Sequence, residues 1–118
     1  MFAAIDGLVA TVERVFGPDR YSTSRAVADL AAAAGGSPAF TWLATGGNFP
    51  DALVAAPAVA RLGGTFLLVS GSDLERSEAT HDWLVDHRDD PMELVRLLGG
   101  VGAISADVEA QVRAVLGI

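Results

Sequence analysis

The stretch that most constrains this chain is residues 43–53, Leu-Ala-Thr-Gly-Gly-Asn-Phe-Pro-Asp-Ala-Leu. The residues leading into it, 40–44, are mostly apolar and β-prone, and Gly46-Gly47 break the run. Asn48 suits a helix N-cap, Pro50 is tolerated in a first helical turn, and Asp51 faces the positive end of the helix dipole. The pattern reads as a buried strand, a two-glycine turn and a capped helix. Its backbone N–H groups open onto the carboxyl end of a sheet, where open α/β folds place ligands.

The rest of the chain alternates in the same way. Residues 1–10 show no clean period and read as a leader or the remnant of a preceding unit; 11–118 form one domain. Weak alternation over 11–16, stopped by Gly17-Pro18, predicts a strand. Ser22 or Thr23 is placed to cap a helix to about residue 34, with Val27, Leu30, Ala31 and Ala34 inward. A second strand is predicted at 40–45, then a helix from about Phe49 that bends at Pro57. A third strand follows at 65–69, then a helix over about 75–87 with Thr80, Trp83 and Leu84 inward. A fourth strand at 92–98 and a last helix capped by Ser105 complete β-α repeated four times. Such alternation implies a parallel sheet with right-handed crossovers and helices on both faces.

Composition narrows the function. Net charge is −7, which argues against a general binder of nucleic acid or anionic membrane. There is no Cys, so disulfides, thiol catalysis and cysteine metal sites are excluded. Residues 1–11 are apolar but carry no Lys or Arg before the hydrophobic run, so they do not read as a signal peptide. No stretch approaches the roughly 20 apolar residues of a membrane span. Hydrophobic content is 51% and mean hydropathy +0.38, with only 7% aromatics. That is consistent with a core filled by small residues or with extra apolar surface for self-association.

Arg20 and Tyr21 follow the first predicted strand. They could hold an anionic or sugar ligand through the guanidinium fork and the ring, or Arg20 could salt-bridge Asp51 and lock two loops together. Gly46, Gly47, Asn48 and Asp51 read either as part of a binding turn or as a tight turn with a helix cap. Asp51 disfavours phosphate there. Gly99, Gly100 and Gly102 end the last strand and would let a polymer or another backbone approach closely, though turn geometry alone also accounts for them. His81 and His87 lack a third ligand and make no zinc motif, and Ser70 lacks the setting of a hydrolase nucleophile.

Three stretches together resemble the cell wall binding repeat 2 family. They are Gly17-Pro18-Asp19-Arg20-Tyr21-Ser22-Thr23, the run at 43–53, and Leu98-Gly99-Gly100-Val101-Gly102-Ala103-Ile104-Ser105. The matched positions also include Pro57, Leu67 and Leu68, and the likeness extends over about residues 12–116. The resemblance implies a small three-layer parallel α/β unit, Toprim- or Rossmann-like. Its implied role is to hold a bacterial surface or secreted protein non-covalently to an anionic wall polymer or glycan. No catalysis, cofactor or metal is implied, and the implied ligand residues are Arg20, Tyr21, Gly46, Gly47, Asn48, Asp51, Gly99 and Gly100. Units of the family assemble in threes, so a single unit is expected to form a homotrimer or to work beside tandem sister units. The implied location is the extracellular cell wall, with the export signal on a longer parent chain.

Some residues depart from the family pattern. Ser24 stands where Ala is usual and Thr65 where Pro often precedes the third strand. Phe66-Leu67-Leu68 replaces the Ile-Leu-Leu associated with wall polymer binding in some members. Two other readings compete. A Toprim-like phosphotransfer enzyme would need a glutamate at the first strand end and paired aspartates at a later one to hold Mg²⁺, and the chain has neither. A structural oligomerisation module without a ligand needs only apolar surface.

Overall fold

Three parallel strands in the order β2-β1-β3 form the sheet: β1 (Phe40–Thr45), β2 (Thr65–Val69) and β3 (Leu94–Leu98). This computed structural model describes residues 11–47, 49–90 and 92–118, and for 49–54 the backbone only. Among the described residues four α-helices surround the sheet: α1 (Arg20–Ala33), α2 (Phe49–Arg61), α3 (Glu78–His87) and α4 (Ala106–Leu116). A 3-10 turn, Leu74–Arg76, precedes α3. The central register pairs Leu43 with Leu67 on one side and Leu97 on the other. Alternating helices and strands around a parallel sheet make this a small α/β unit.

The two faces of the sheet are covered unequally. Leu43, Leu67 and Val69 point to the face where Ala28 of α1, Trp83 and Leu84 of α3, and Val108 and Val112 of α4 build the core. β2 connects to β3 through α3 across β1, whereas β1 connects to β2 in the opposite direction through α2. Right-handed crossovers therefore put α2 on the other face. There it packs on β1 and β2, with Val59 buried. On that face, toward β3, Phe40 and Leu94 stay exposed and the Arg96 guanidinium lies 4.8 Å from the Trp42 ring centre.

Local chemistry sets the helix ends. Ser105 caps α4 by accepting from Val108 N at 3.2 Å, as its position predicts, and Gly117 closes the helix at φ 76°. α2 runs through Pro57 without ending. Thr80, Trp83 and Leu84 are buried as expected. Buried hydroxyls find backbone partners: Thr41 Oγ1 donates to Pro38 O at 2.8 Å and Thr65 Oγ1 to Ser37 O at 3.0 Å.

Five expectations are corrected. α1 is capped by Asp19, not by Ser22 or Thr23; its carboxylate accepts from Ser22 N at 2.7 Å and Ser22 Oγ at 2.8 Å. Thr23 Oγ1 instead accepts from Gly17 N at 3.0 Å. The helix expected over 75–87 starts as the 3-10 turn, and the last strand begins at Leu94. Residues 11–17 form no strand, so among the described residues the sheet has three strands where four were expected. Finally, α1 buries Ala28, leaving Val27 at 52% and Leu30 at 47% exposure where an inward stripe was expected.

The last two differences share one cause. With α1 on the same face as α3, a right-handed crossover into β1 would place a preceding strand beyond β2. That edge is already closed. Leu68 N donates to Ser24 Oγ at 3.2 Å, and Thr80 Oγ1 donates to Leu68 O. With no strand there among the described residues, the stripe of α1 that would have covered it faces outward.

Trp83→Ala should therefore cost about 3–5 kcal/mol of unfolding free energy. Leu30→Ala, on the exposed stripe, should stay within about 0.5 kcal/mol of the parent. Urea denaturation of both variants checks this; comparable losses would contradict the observed orientation of α1.

Candidate functional site

All three strands of a parallel sheet end on one side, and their outgoing turns meet there. Gly46 N donates to Val69 O at 2.9 Å, tying the turn after β1 to the end of β2. Gly47 N donates to Thr45 Oγ1 at 3.2 Å, so that turn is braced by its own strand. The turn after β2, Ser70-Gly71-Ser72, meets the loop after β3 at Gly71, whose carbonyl accepts from Ser105 N at 2.8 Å. A Cβ on Gly71 would run into the Ala103 carbonyl oxygen and sit 3.3 Å from Thr45 Oγ1. Only glycine fits there.

Arg20 and Tyr21, in the first turn of α1, reach this end of the sheet. Arg20 Nη1 donates to Gly46 O at 2.6 Å. A Cβ on Gly46 would lie 2.9 Å from Arg20 Cδ and 3.0 Å from Tyr21 Cε1. Gly46 is thus the floor on which both side chains rest. Arg20 is exposed and Tyr21 half-buried, and Gly47 beside them is exposed.

The expected site residues divide accordingly. Arg20, Tyr21, Gly46 and Gly47 come together. Asn48 and the side chain of Asp51 lie outside the described residues, and with them the expected Arg20–Asp51 pair. Gly99, at φ 108°, and Gly100 are exposed in the loop after β3, with nothing within 4 Å of a Cβ built on Gly100. Their loop reaches the other turns through Ala103 and Ser105, not through the glycines themselves.

Sequence reasoning passed over Gly71, and the available signal was its Ser-Gly-Ser setting directly after an apolar strand. It also passed over Asp73 and Gln111. Gln111 Oε1 accepts from Leu74 N at 2.8 Å, and its amide donates to Asp73 Oδ1 at 3.1 Å, fixing α4 to the loop after β2. Asp86 binds Arg25 at 2.6 Å and joins α3 to α1.

Two carboxylates near these turns titrate low. Hydrogen bonds from the Ser22 amide and hydroxyl hold Asp19 below the ordinary aspartate value. The Glu75 amide and the Gln111 side chain do the same for Asp73. Among the described residues no group of three or more His, Asp or Glu could hold a metal ion. The arrangement offers a guanidinium and a phenol ring over the Gly46 floor, which suits recognition of an anionic or hydroxylated ligand.

The family model for cell wall binding domain 2 matches residues 14–109, from before Gly17 to within α4. The chain belongs to the cell wall binding domain 2 family. Its role is therefore binding to cell wall components, in a family of binding modules. No curated protein and no solved structure matches the chain. No helix among the described residues is long and apolar enough to cross a membrane. The cell wall binding domain 2 match takes in the Arg20–Tyr21 turn, the Gly46–Gly47 turn and the loop after β3, so the converging sheet end belongs to the family unit.

Gly71→Ala should lower stability by about 1–3 kcal/mol, because backbone must move to admit the methyl group. Gly100→Ala, at a negative φ in open space, should change it by less than about 0.5 kcal/mol. Thermal unfolding of the two variants checks the pair. A second expectation concerns pH. A carboxylate whose folded pKa is depressed adds stability above its unfolded pKa and loses it as pH falls through the folded value. Between roughly pH 5 and pH 2 the parent should lose more stability than Asp19→Asn/Asp73→Asn, the two curves converging at the acid end. Parallel curves in urea titrations across that range would contradict the assignment.

Proposed function

We propose that this domain holds its parent protein non-covalently to the bacterial cell wall by binding an anionic wall polymer or glycan, without catalysing a reaction on it. The observation that carries the reading is the pairing of Arg20 and Tyr21 over Gly46 at the carboxyl end of β1. The Gly46 contact uses one of the five N–H donors of a guanidinium. Wall polymers repeat anionic and hydroxyl groups, and the Arg20 fork and the Tyr21 ring match that chemistry. With a net charge of −7 the domain does not attract a polyanion at long range. Recognition therefore rests on short contacts at this end, and we extend the proposed ligand set to Gly47, Asn48, Asp51, Gly99 and Gly100.

In this reading several units act together, as copies of this chain or as tandem sister units. A repeating polymer bound at several equivalent ends dissociates far more slowly than from one. A second reading, an assembly module with no ligand of its own, draws on the exposure of Val12 at 94% and Phe16 at 68%.

Co-sedimentation with Gram-positive wall preparations, before and after acid removal of the anionic polymers, separates the two. Binding should disappear on stripping, and Arg20→Ala should weaken it by roughly tenfold, the effect of losing a charged hydrogen bond. An exposed control, Arg61→Ala, should leave it unchanged. Binding that survives stripping would redirect the reading to the peptidoglycan itself, and absence of binding by the assembled protein would leave the assembly module.

A further inference from the structure

The two edges of the sheet differ. The outer edge of β2 is closed where Ser24 and Thr80 take up the amide and carbonyl of Leu68. The outer edge of β3 has no strand beyond it among the described residues. Leu94 N donates inward to Ala39 O at 2.9 Å, so strand alternation turns the amides and carbonyls of Val95 and Leu97 outward. Along this edge runs a groove of about 380 Å³ between β3 and α4, floored by Met92, Val95, Leu97, Val112 and Leu116. Arg88 and Arg113 stand on its rim with Glu93 and Glu109. An open strand edge beside an apolar groove is the arrangement that accepts an added strand: main-chain hydrogen bonds hold it and the groove takes alternate side chains.

The same chain carries a segment suited to that place. Residues 11–16, Thr-Val-Glu-Arg-Val-Phe, have the composition and alternation of a strand but pair with nothing in the sheet. Val12 and Phe16 are among the most exposed large apolar side chains of the molecule. As a strand the segment carries Val12, Arg14 and Phe16 on one side, which would set Arg14 toward a rim that includes Glu93 and Glu109. Within its own chain the segment lies over α1, where Arg14, Val15 and Phe16 line a shallow cleft with Ala26 and Leu30. It leads through Gly17–Asp19 into α1, which packs along β2, the strand farthest from the β3 edge.

We propose that the outer edge of β3 and the groove beside it receive residues 11–16 of a second copy of this chain as an added strand. This rests on the self-association part of the reading above and supplies its contact. Segment and edge are different surfaces, so the contact is heterologous and closes into a ring when the rotation between copies permits.

The test uses the isotopically labelled full chain, amide hydrogen exchange and solution mass. Val15→Pro blocks pairing by the segment without touching the sheet. Val95→Pro removes an outward N–H that the β1 ladder does not use. The assembled parent should protect the Val95 and Leu97 amides by roughly tenfold or more over Val15→Pro, and the Leu97 amide likewise over Val95→Pro. Each variant alone should be monomeric, and their equimolar mixture should form a 1:1 dimer, because it contains one intact segment and one intact edge. A synthetic peptide of residues 11–17 added to the Val15→Pro chain should shift the β3 amides. A parent that stays monomeric to its solubility limit, an assembly unaffected by Val15→Pro, or peptide shifts confined to other elements would overturn the proposal. Should Val95→Pro not fold, Val15→Pro and the peptide still decide it. None of these readouts involves wall material, so failure here is distinct from failure of wall binding.

Discussion

Parallel pairing on both sides of β1 is the constraint on which the rest of this molecule depends. A chain that leaves a parallel strand must return to the opposite end before the next can begin, so each connection needs a crossover. All three strands consequently release their outgoing turns at one end. Those turns are short and glycine-bearing, and they touch: Gly46 binds Val69, and Gly71 meets Thr45, Ala103 and Ser105. The candidate site follows from the pairing pattern. Arg20 and Tyr21 enter it because α1 begins at that end and runs back along β2.

The crowding at Gly71 shows how closely stability and site geometry are coupled. A Cβ on Gly71 would meet both Thr45 at the end of β1 and Ala103 in the loop after β3, and the amide of Ser105, the cap of α4, is fixed by the Gly71 carbonyl. α4 in turn holds the loop after β2 through Gln111. A change that shifts one of these turns shifts the others. The Gly46 floor is bonded to the end of β2, one residue before the Ser70-Gly71 turn, so displacement there reaches Arg20 and Tyr21 directly.

The parts of the fold set by local pattern were legible in the residues. The strands at 40–45 and 65–69, the Ser105 cap and the buried Thr80, Trp83 and Leu84 follow from periodicity and capping chemistry alone. What was not legible depended on who neighbours whom. Alternation over 11–16 signals a strand, but pairing needs an edge with available amides, and the β2 edge is satisfied by hydroxyls from Ser24 and Thr80. The apolar stripe at Val27 and Leu30 has helical spacing whether or not a strand lies beneath it. In the site, Arg20, Tyr21 and Gly46 carried a sequence signal. Gly71 was hidden because what makes a glycine necessary there is a carbonyl 32 residues away in the chain, at Ala103.

Ser24 joins these points. Its hydroxyl donates to Tyr21 O at 2.9 Å while accepting from Leu68 N. One oxygen therefore braces the turn that bears Tyr21 and closes the β2 edge. An alanine could do neither, and the Leu68 amide would then need another acceptor, such as a strand carbonyl. Ser24 takes up the Leu68 amide and Thr80 the Leu68 carbonyl, so two hydroxyls seal the β2 edge against a further strand. With β2 sealed, the only sheet edge left open among the described residues is that of β3, and residues 11–16 are left without a place in their own sheet.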